Sequence, residues 1–338
     1  VDKRFAAAPF AGKYFIKMKI IRGSRQHLCR LPISLPKNGC AASVGNFDGV
    51  HLGHKAILQR VKNVSQKLNL PSLVIIFEPQ PEEYFKGINC SARLTRLREK
   101  LQFLREFEID YIYIMPFTEI IANLSAEQFV KDFLAGCLKI KYLVIGDDFC
   151  FGHDRAGNFN YLKKVSKQYG FEIESSRTIA MSDHEHKQRI SSTWVREALH
   201  AGDLQLAAKL LGRDYSMCGR VVHGEKIGRT LNFPTANIFL HRQNTPISGV
   251  FAVRVFGVKN QPVFGVANIG SRPTVGGSKP ILEVHLFDFD QDIYGFYVRV
   301  EFLHKLRDEK LFDSFELLQM QIEQDITDAE RFFVKKSV

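Results

Sequence analysis

The chain lacks the marks of several protein classes. Its six cysteines, Cys29, Cys40, Cys90, Cys137, Cys150 and Cys218, include no C-x-x-C pair. That argues against a zinc ribbon and a thioredoxin-like redox motif. In 338 residues so few scattered thiols do not make a disulfide scaffold, which points to a reducing compartment such as the cytoplasm. No apolar run approaches the ~20 residues a membrane helix needs, so no membrane partner is expected. The P-loop pattern G-x-x-x-x-G-K-[ST] is absent. No Pro/Gly/Ser-rich linker separates the halves, no repeat with a period of ~20–50 residues is visible, and Lys and Arg are spread along the chain rather than blocked.

What is present is 45% hydrophobic and 25% charged, the balance of a soluble globular protein, and long enough for about two domains. The formal charge, 47 − 36 = +11, favours anionic partners: nucleic acid, acidic membrane or phosphorylated small molecules. No nucleic-acid module signature accompanies it, so nucleic acid is not expected. Residues Val1–Lys17 show no clear periodicity and Met18 opens MKIIRG. Val1–Lys17 is therefore expected to be an upstream extension, or otherwise disordered, outside the fold.

The stretch Ser43–His54, SVGNFDGVHLGH, is the most informative. A short apolar run leads into Gly45-Asn46-Phe47-Asp48-Gly49, and then come His51, Gly53 and His54. Apolar spacing after them predicts a helix over Lys55–Leu68, with both histidines in its first turn and on one face. Free N–H groups and the positive end of the helix dipole make such a place an anion site. A metal pair or two surface histidines are the alternatives. Zinc is disfavoured because no Cys or carboxylate pair lies nearby at ligand spacing.

From Cys40 to about Ile173, short apolar strands (Ala41–Val44, Ser72–Phe77, Tyr111–Met115, Tyr142–Ile145, Phe171–Glu174) alternate with helices (Lys55–Leu68, Ala92–Phe107, Ala126–Cys137, Phe159–Gln168). Ser125 and Gln128 form a capping-box pattern before the third helix. The alternation predicts a parallel sheet covered on both faces, with ligands outside the carboxyl ends of its strands. The loops there are Gly45–Val50, Glu78–Pro81, Pro116–Glu119 and Gly146–Gly152. In Gly146–Gly152, Phe149 and Phe151 suit either stacking on a flat ring or a place in the core. Helices Thr193–Ala201 and Leu204–Leu211 follow, with Asp203 as N-cap of the second. Ser192 and Thr193 could cap a phosphate-gripping helix with Arg196 one turn in, or be a plain cap with a surface Arg.

After about Leu211–Tyr215 the pattern becomes β. Ser216–Val222, Thr235–Phe239, Val250–Val255, Gln261–Asn268, Leu282–Leu286 and Phe296–Phe302 are strand-like. The turns between them include Ser271–Pro280. Six such strands predict a small antiparallel barrel or sandwich, and a last helix from Leu311 toward Phe333 would cover one end. The loop around Gly224, Lys226, Gly228 and Arg229 could lie over a polyphosphate. Thr235 and Asn237, two apart on a strand, face one side and offer hard oxygen ligands of the kind Mg²⁺ takes together with phosphate. Glu283 stands alone in the apolar strand ILEVHLF, either paired for structure or a proton acceptor.

Taken together, GNFDGVHLGH, FEPQP, GDDFCFG and ISSTWVR in the first half, and GRVVHGEKIGRTLNFPTANI, GVANIGSRPT and LEVHLFDFDQDIYG in the second, resemble the bacterial bifunctional riboflavin kinase/FAD synthetases over nearly all of Met18–Val338. Two positions depart from the family pattern: Asn232 stands where Gly is usual, and Cys150 where many members carry a basic residue. The resemblance implies a Rossmann-like nucleotidyltransferase domain of the H-x-G-H type over residues 18–211 and a riboflavin kinase barrel over 212–338. It implies phosphorylation of riboflavin to FMN by the second domain, then adenylylation of FMN to FAD by the first, with ATP as co-substrate and Mg²⁺ as metal. His51, His54, Arg196 and Glu283 would be catalytic, and Thr235 and Asn237 would hold the metal. Gly45, Asn46, Phe47, Gly53, Ser192, Thr193, Gly224, Lys226, Gly228 and Arg229 would bind nucleotide and phosphate. The rival expectations are a nucleotidyltransferase for another substrate with an inactive second module, and a basic nucleic-acid-binding protein. The oligomeric state is not implied.

Overall fold

The structure, a computed structural model, describes residues 18–28, 38–176, 180–183, 186–224, 233–274 and 277–336. Val1–Lys17, Lys226, Gly228, Arg229 and Asn232 lie outside them. The chain divides into two compact units between Ser192 and Thr193, with Ala92–Leu94 grouped with the second.

The first unit is built on six parallel strands: β1 Lys19–Arg22, β2 Cys40–Val44, β3 Ser72–Glu78, β4 Tyr111–Pro116, β5 Ile140–Gly146 and β6 Glu172–Ser176. They lie in the order β1-β4-β3-β2-β5-β6. All of β2 and nearly all of β3 are buried, as strands covered on both faces must be. Side-chain alternation splits the core in two. Leu73, Ile75 and Phe77 join Val44, Met115 and Phe133 on one face, while Val74 and Ile76 join Leu58, Leu104 and Ile112 on the other. The covering helices are α1 Leu52–Leu68, α2 Pro81–Lys86, α3 Leu97–Arg105, α4 Glu119–Ala122, α5 Ala126–Gln128 and α6 Phe159–Val165. The fifth begins with the expected Ser125–Gln128 capping box and continues as a π-helical stretch, Phe129–Cys137.

Several expectations are corrected here. Strand β1, the hairpin of β7 Ala180–Asp183 with β8 His186–Arg189, and helices α2 and α4 were not anticipated: all are too short to show a period. The helix expected from Ala92 begins at Leu97, where Glu99 accepts the Arg96 N–H as its cap. The Ala92–Leu94 carbonyls are used elsewhere in their own unit: Arg196 donates to Ala92, Arg242 to Arg93, and the Tyr215 hydroxyl to Leu94.

The second unit carries α7 Ser192–His200 and α8 Leu204–Leu211, the latter capped by Asp203 as expected. Then β9 Tyr215–Val222, β10 Thr235–Phe239, β11 Gly249–Phe256, β12 Val263–Thr274, β13 Gly277–Leu286 and β14 Tyr297–Arg307 close an antiparallel barrel, ordered β10-β13-β12-β11-β14-β9. Phe251 and Phe302 meet edge to face in its core, 5.4 Å between centroids. The stretch Ser271–Pro280, expected as a turn, is mostly ladder, paired out to Thr274 with Gly277; cross-strand pairing there outweighs local turn propensity. Helix α9, Phe315–Lys336, lays Ile326, Ala329 and Phe333 against Val250 and Val266. Arg307 on β14 fixes it with a two-pronged bond to Asp325, both 2.8 Å. Among the described residues no helix is long and apolar enough to cross a membrane.

Candidate functional sites

In the first unit the strand order reverses at β2, with β3 on one side and β5 on the other. Loops leaving the two strands diverge there and open a crevice, the usual ligand position in such sheets. The turn leaving β2 is strained. Phe47 (φ 47°), Gly49 (φ 80°) and Val50 (φ 42°) are all left-handed, and a non-glycine residue there costs on the order of 1–3 kcal/mol. Burial of Phe47 and Val50 beside Leu58 and Ile76 helps to hold it.

The turn delivers His51 to the N-cap of α1 and His54 to its first turn. The Nδ1 of His51 accepts the His54 backbone N–H at 3.3 Å, which leaves Nε2 as the ring's donor position. The helix therefore starts at Leu52, earlier than spacing predicted, because a histidine ring supplies the cap. The two imidazoles stack at 3.7 Å with 19° between planes. Gly53 makes room for this: a Cβ there would lie 3.1 Å from two atoms of the His51 ring and 3.2 Å from the Ile190 carbonyl. Gly45 is half-buried and Asn46 exposed at the mouth of the turn.

Ser192, the last residue of the first unit, donates its hydroxyl to the Asp48 carbonyl in the histidine turn at 2.9 Å. Thr193 is exposed, and Arg196 donates Nε to Ala92 at 2.7 Å; both are grouped with the second unit. For the two rings of the Gly146–Gly152 loop, the structure selects the core alternative. Phe151 is buried, 5.1 Å from Phe129, and stacks on Phe149, which packs on the same core. Cys150 between them is half-buried.

An aromatic group that sequence reasoning missed lies at the exit of β3. Gln80 opens α2, its N–H donating to Glu83 at 2.9 Å, and α2 presents Tyr84 and Phe85. These two and Phe117 at the exit of β4 form an edge-to-face trio, 5.2, 5.3 and 5.7 Å between centroids. Phe85 is 67% exposed and Tyr84 40%, unusual for rings already clustered. The signal was there in two adjacent aromatics just after the Glu78–Pro81 loop.

The second unit holds its polar groups differently. Asn237 on β10 is directly opposite Glu283 on β13, which in turn is opposite Asn268 on β12, while Thr235 is opposite His285. They alternate with buried Ile238, Leu282 and Val284, so this row lies on the outer face of the barrel. Gly224 packs flat on the Asn237 amide: a Cβ there would come within 2.3–2.7 Å of its terminal atoms. His285 fixes the start of β10 through Nδ1 and the Pro234 carbonyl, 3.0 Å apart. Asn268 was missed because its link to Glu283 exists only in the register of β12 and β13. Among the described residues no three His, Cys, Asp or Glu gather to hold a metal. Thr235 and Asn237 offer neutral oxygens alone, a set suited to a cation that brings phosphate oxygens with it.

Comparison with known proteins gives a family for each part of the chain. A family model for FAD synthetase matches residues 34–194 and one for riboflavin kinase matches 211–333. The bifunctional riboflavin kinase/FMN adenylyltransferase of Haemophilus influenzae is 51% identical over 87% of this chain and 94% of that protein. That of Escherichia coli is 46% identical over 94% and 98%. A crystal structure described as a macrolide-efflux protein from Streptococcus pneumoniae matches with a TM-score of 0.75 at 30% identity, covering 91% of this chain and 97% of that one.

Proposed function

The chain belongs to the bifunctional riboflavin kinase/FMN adenylyltransferase family, and from that premise we propose how its two sites divide the work. It phosphorylates riboflavin to FMN and adenylylates FMN to FAD. In our assignment the barrel unit performs the first step and the parallel-sheet unit the second, with domains over residues 18–211 and 212–338. The family models end at 194 and begin at 211, leaving α7 and α8 between them.

In the barrel, Glu283 takes the proton of the ribityl 5′-hydroxyl as that oxygen attacks the γ-phosphorus of ATP. Asn237 and Asn268 flank it on the ladder and hold the carboxylate and hydroxyl in register. Thr235 and Asn237 would hold Mg²⁺ with the ATP phosphates, where the ion neutralises charge on the transferring group. Gly224, Lys226, Gly228 and Arg229 are assigned to the phosphates. Phosphoryl transfer demands mainly positioning and charge neutralisation.

In the sheet unit, the first turn of α1 takes the ATP phosphates. The Nε2–H of His51 donates to one of their oxygens, and His54 stacked on it stabilises charge at the α-phosphorus. Gly45, Asn46, Phe47 and Gly53 give the phosphates close access to the turn; Ser192 is assigned to the same nucleotide. The FMN phosphate attacks the α-phosphorus and pyrophosphate leaves, so no covalent protein intermediate forms. The exposed trio Tyr84, Phe85 and Phe117 suits the flat flavin ring.

The observation that carries the division is architectural: a histidine-capped helix N-terminus at the switch point of one sheet, and a Thr–Asn–Glu row on the outside of a separate barrel. The partners are accordingly small molecules, riboflavin, FMN and ATP. The described cysteines are free thiols, which is compatible with a reducing, cytoplasmic setting. Pure protein incubated with riboflavin, ATP and Mg²⁺, with the flavins separated by chromatography, tests the proposal. FMN and FAD are expected. Absence of FMN removes the kinase assignment, and FMN without FAD removes the adenylyltransferase one.

A further inference from the structure

Two buried polar side chains of the sheet unit have no part in the scheme above. Thr95, 2% exposed, stands just before α3, and Lys100, fully buried, stands within it. Both hydrogen-bond to the histidine turn. The Thr95 hydroxyl accepts the Gly49 N–H at 2.9 Å and donates to Asp48 Oδ1 at 3.1 Å, while the Thr95 N–H donates to the same Asp48 oxygen at 3.0 Å. Lys100 Nζ donates to the Asn46 carbonyl at 2.5 Å. The turn is thus gripped on both sides of Phe47 by a segment 46 to 54 residues away in sequence.

A buried ammonium and a buried carboxylate are costly to desolvate unless they have specific partners. An apolar residue at either place would fill the space at lower cost, so packing alone does not explain them. The turn they hold is strained, with Phe47 and Val50 left-handed. It leads directly into His51, whose ring caps α1 through Nδ1.

We propose that Thr95 and Lys100 are positioning residues for adenylyl transfer: a clasp from the α3 segment that keeps the strained turn in the one conformation that seats His51 and His54. They act through the histidines and do not touch the nucleotide. The inference rests on the adenylyltransferase assignment of His51 and His54.

Thr95→Val keeps the branched shape and removes the hydroxyl, and Thr95→Ser returns the hydroxyl alone. In the full-length chain, Thr95→Val is expected to lower kcat for FAD formation from supplied FMN by about tenfold to a hundredfold, the scale of a small misplacement of catalytic groups. KM for FMN should stay within about threefold, because the flavin is held elsewhere. Thr95→Ser should restore kcat to within about threefold of the parent. Riboflavin kinase activity of the same samples should not change, and circular dichroism with thermal unfolding of the same samples reports that the sheet unit, which carries Thr95, is folded. A Thr95→Val enzyme with unchanged kcat, a Thr95→Ser enzyme as slow as Thr95→Val, or a loss confined to KM overturns the clasp. If Thr95→Val does not fold, Lys100→Met carries the same test: a fall in kcat at unchanged KM supports the clasp and an unchanged kcat overturns it. A parent chain that makes no FAD from FMN removes instead the assignment beneath it.

Discussion

The two units hold the polar groups of their proposed sites in opposite ways. In the barrel, Thr235, Asn237 and Glu283 sit on regular strands with ordinary backbone geometry, on a half-exposed outer face, and the ladder spaces them. In the parallel sheet the strands are buried on both faces, so the reactive groups must lie beyond the strand ends. There they depend on a left-handed turn and on partners far away in sequence. An antiparallel ladder with one solvated face carries a site on its own register, whereas a doubly covered sheet makes its site from loops and has to hold them.

The strongest break of this comparison would come from exchanging the losses. Glu283→Ala is expected to lower FMN formation by about a hundredfold or more, the usual worth of a general base, while FAD formation from supplied FMN persists. His54→Ala should do the reverse. Chromatography of flavins with each substrate given separately checks both; one substitution abolishing both activities in a folded chain would contradict two separate sites. Next in size, Arg307→Ala strips Asp325, whose side chain is 6% exposed, of its two-pronged partner. Removing one partner of a buried pair costs about 3–5 kcal/mol. Thermal inactivation of the kinase should therefore come at lower temperature.

Two glycines sharpen the contrast at a smaller scale. A Cβ at Gly224 would meet the Asn237 amide at 2.3 Å, and one at Gly53 would meet the His51 ring at 3.1 Å. Gly224→Ala should cost kinase kcat about tenfold or more through displaced Asn237. Gly53→Ala needs only a few tenths of an ångström from a ring, so its cost to adenylylation should be under about tenfold. Steady-state kinetics of both activities on both variants settles the order. The smallest effect is expected at Arg60. Its hydrogen bonds hold the Glu174 carboxyl below the usual carboxylate range. A lowered folded-state value means the stabilisation is present above the unfolded pKa and lost as pH falls through the folded one. The pair is 46% and 31% exposed, so Arg60→Ala should cost less than about 1 kcal/mol near neutrality. Denaturant titrations of parent and variant should converge in acid.

How far the sequence alone reached follows from the range of each signal. Strand β10 and helix α8 appear at the bounds that their local pattern predicted, because alternation, periodicity and a capping Asp are written within a few residues. The row from Thr235 to Asn237 was legible for the same reason. Its pairing with Glu283 came only through family resemblance, and the ladder supplied the physical link. Phe149 and Phe151 were open between ligand and core until their neighbours were known, and Thr95 and Lys100 carried no local signal. Strand β1 was missed because four residues at a sheet edge are too few to show a period.

By itself, then, the amino-acid sequence determined the alternation of strands and helices, the change to β after Leu211, and the chemistry available at His51, His54, Thr235, Asn237 and Glu283. These depend on the preferences of neighbouring residues, which act over one or two turns of chain. Tertiary structure alone decided that His51 is a cap rather than a helical residue, that Tyr84, Phe85 and Phe117 gather while Phe151 is buried, and that a segment some fifty residues downstream closes on the histidine turn. Those outcomes depend on which distant groups are brought within hydrogen-bonding distance, and a buried ammonium finds its carbonyl only after the sheet has folded around both.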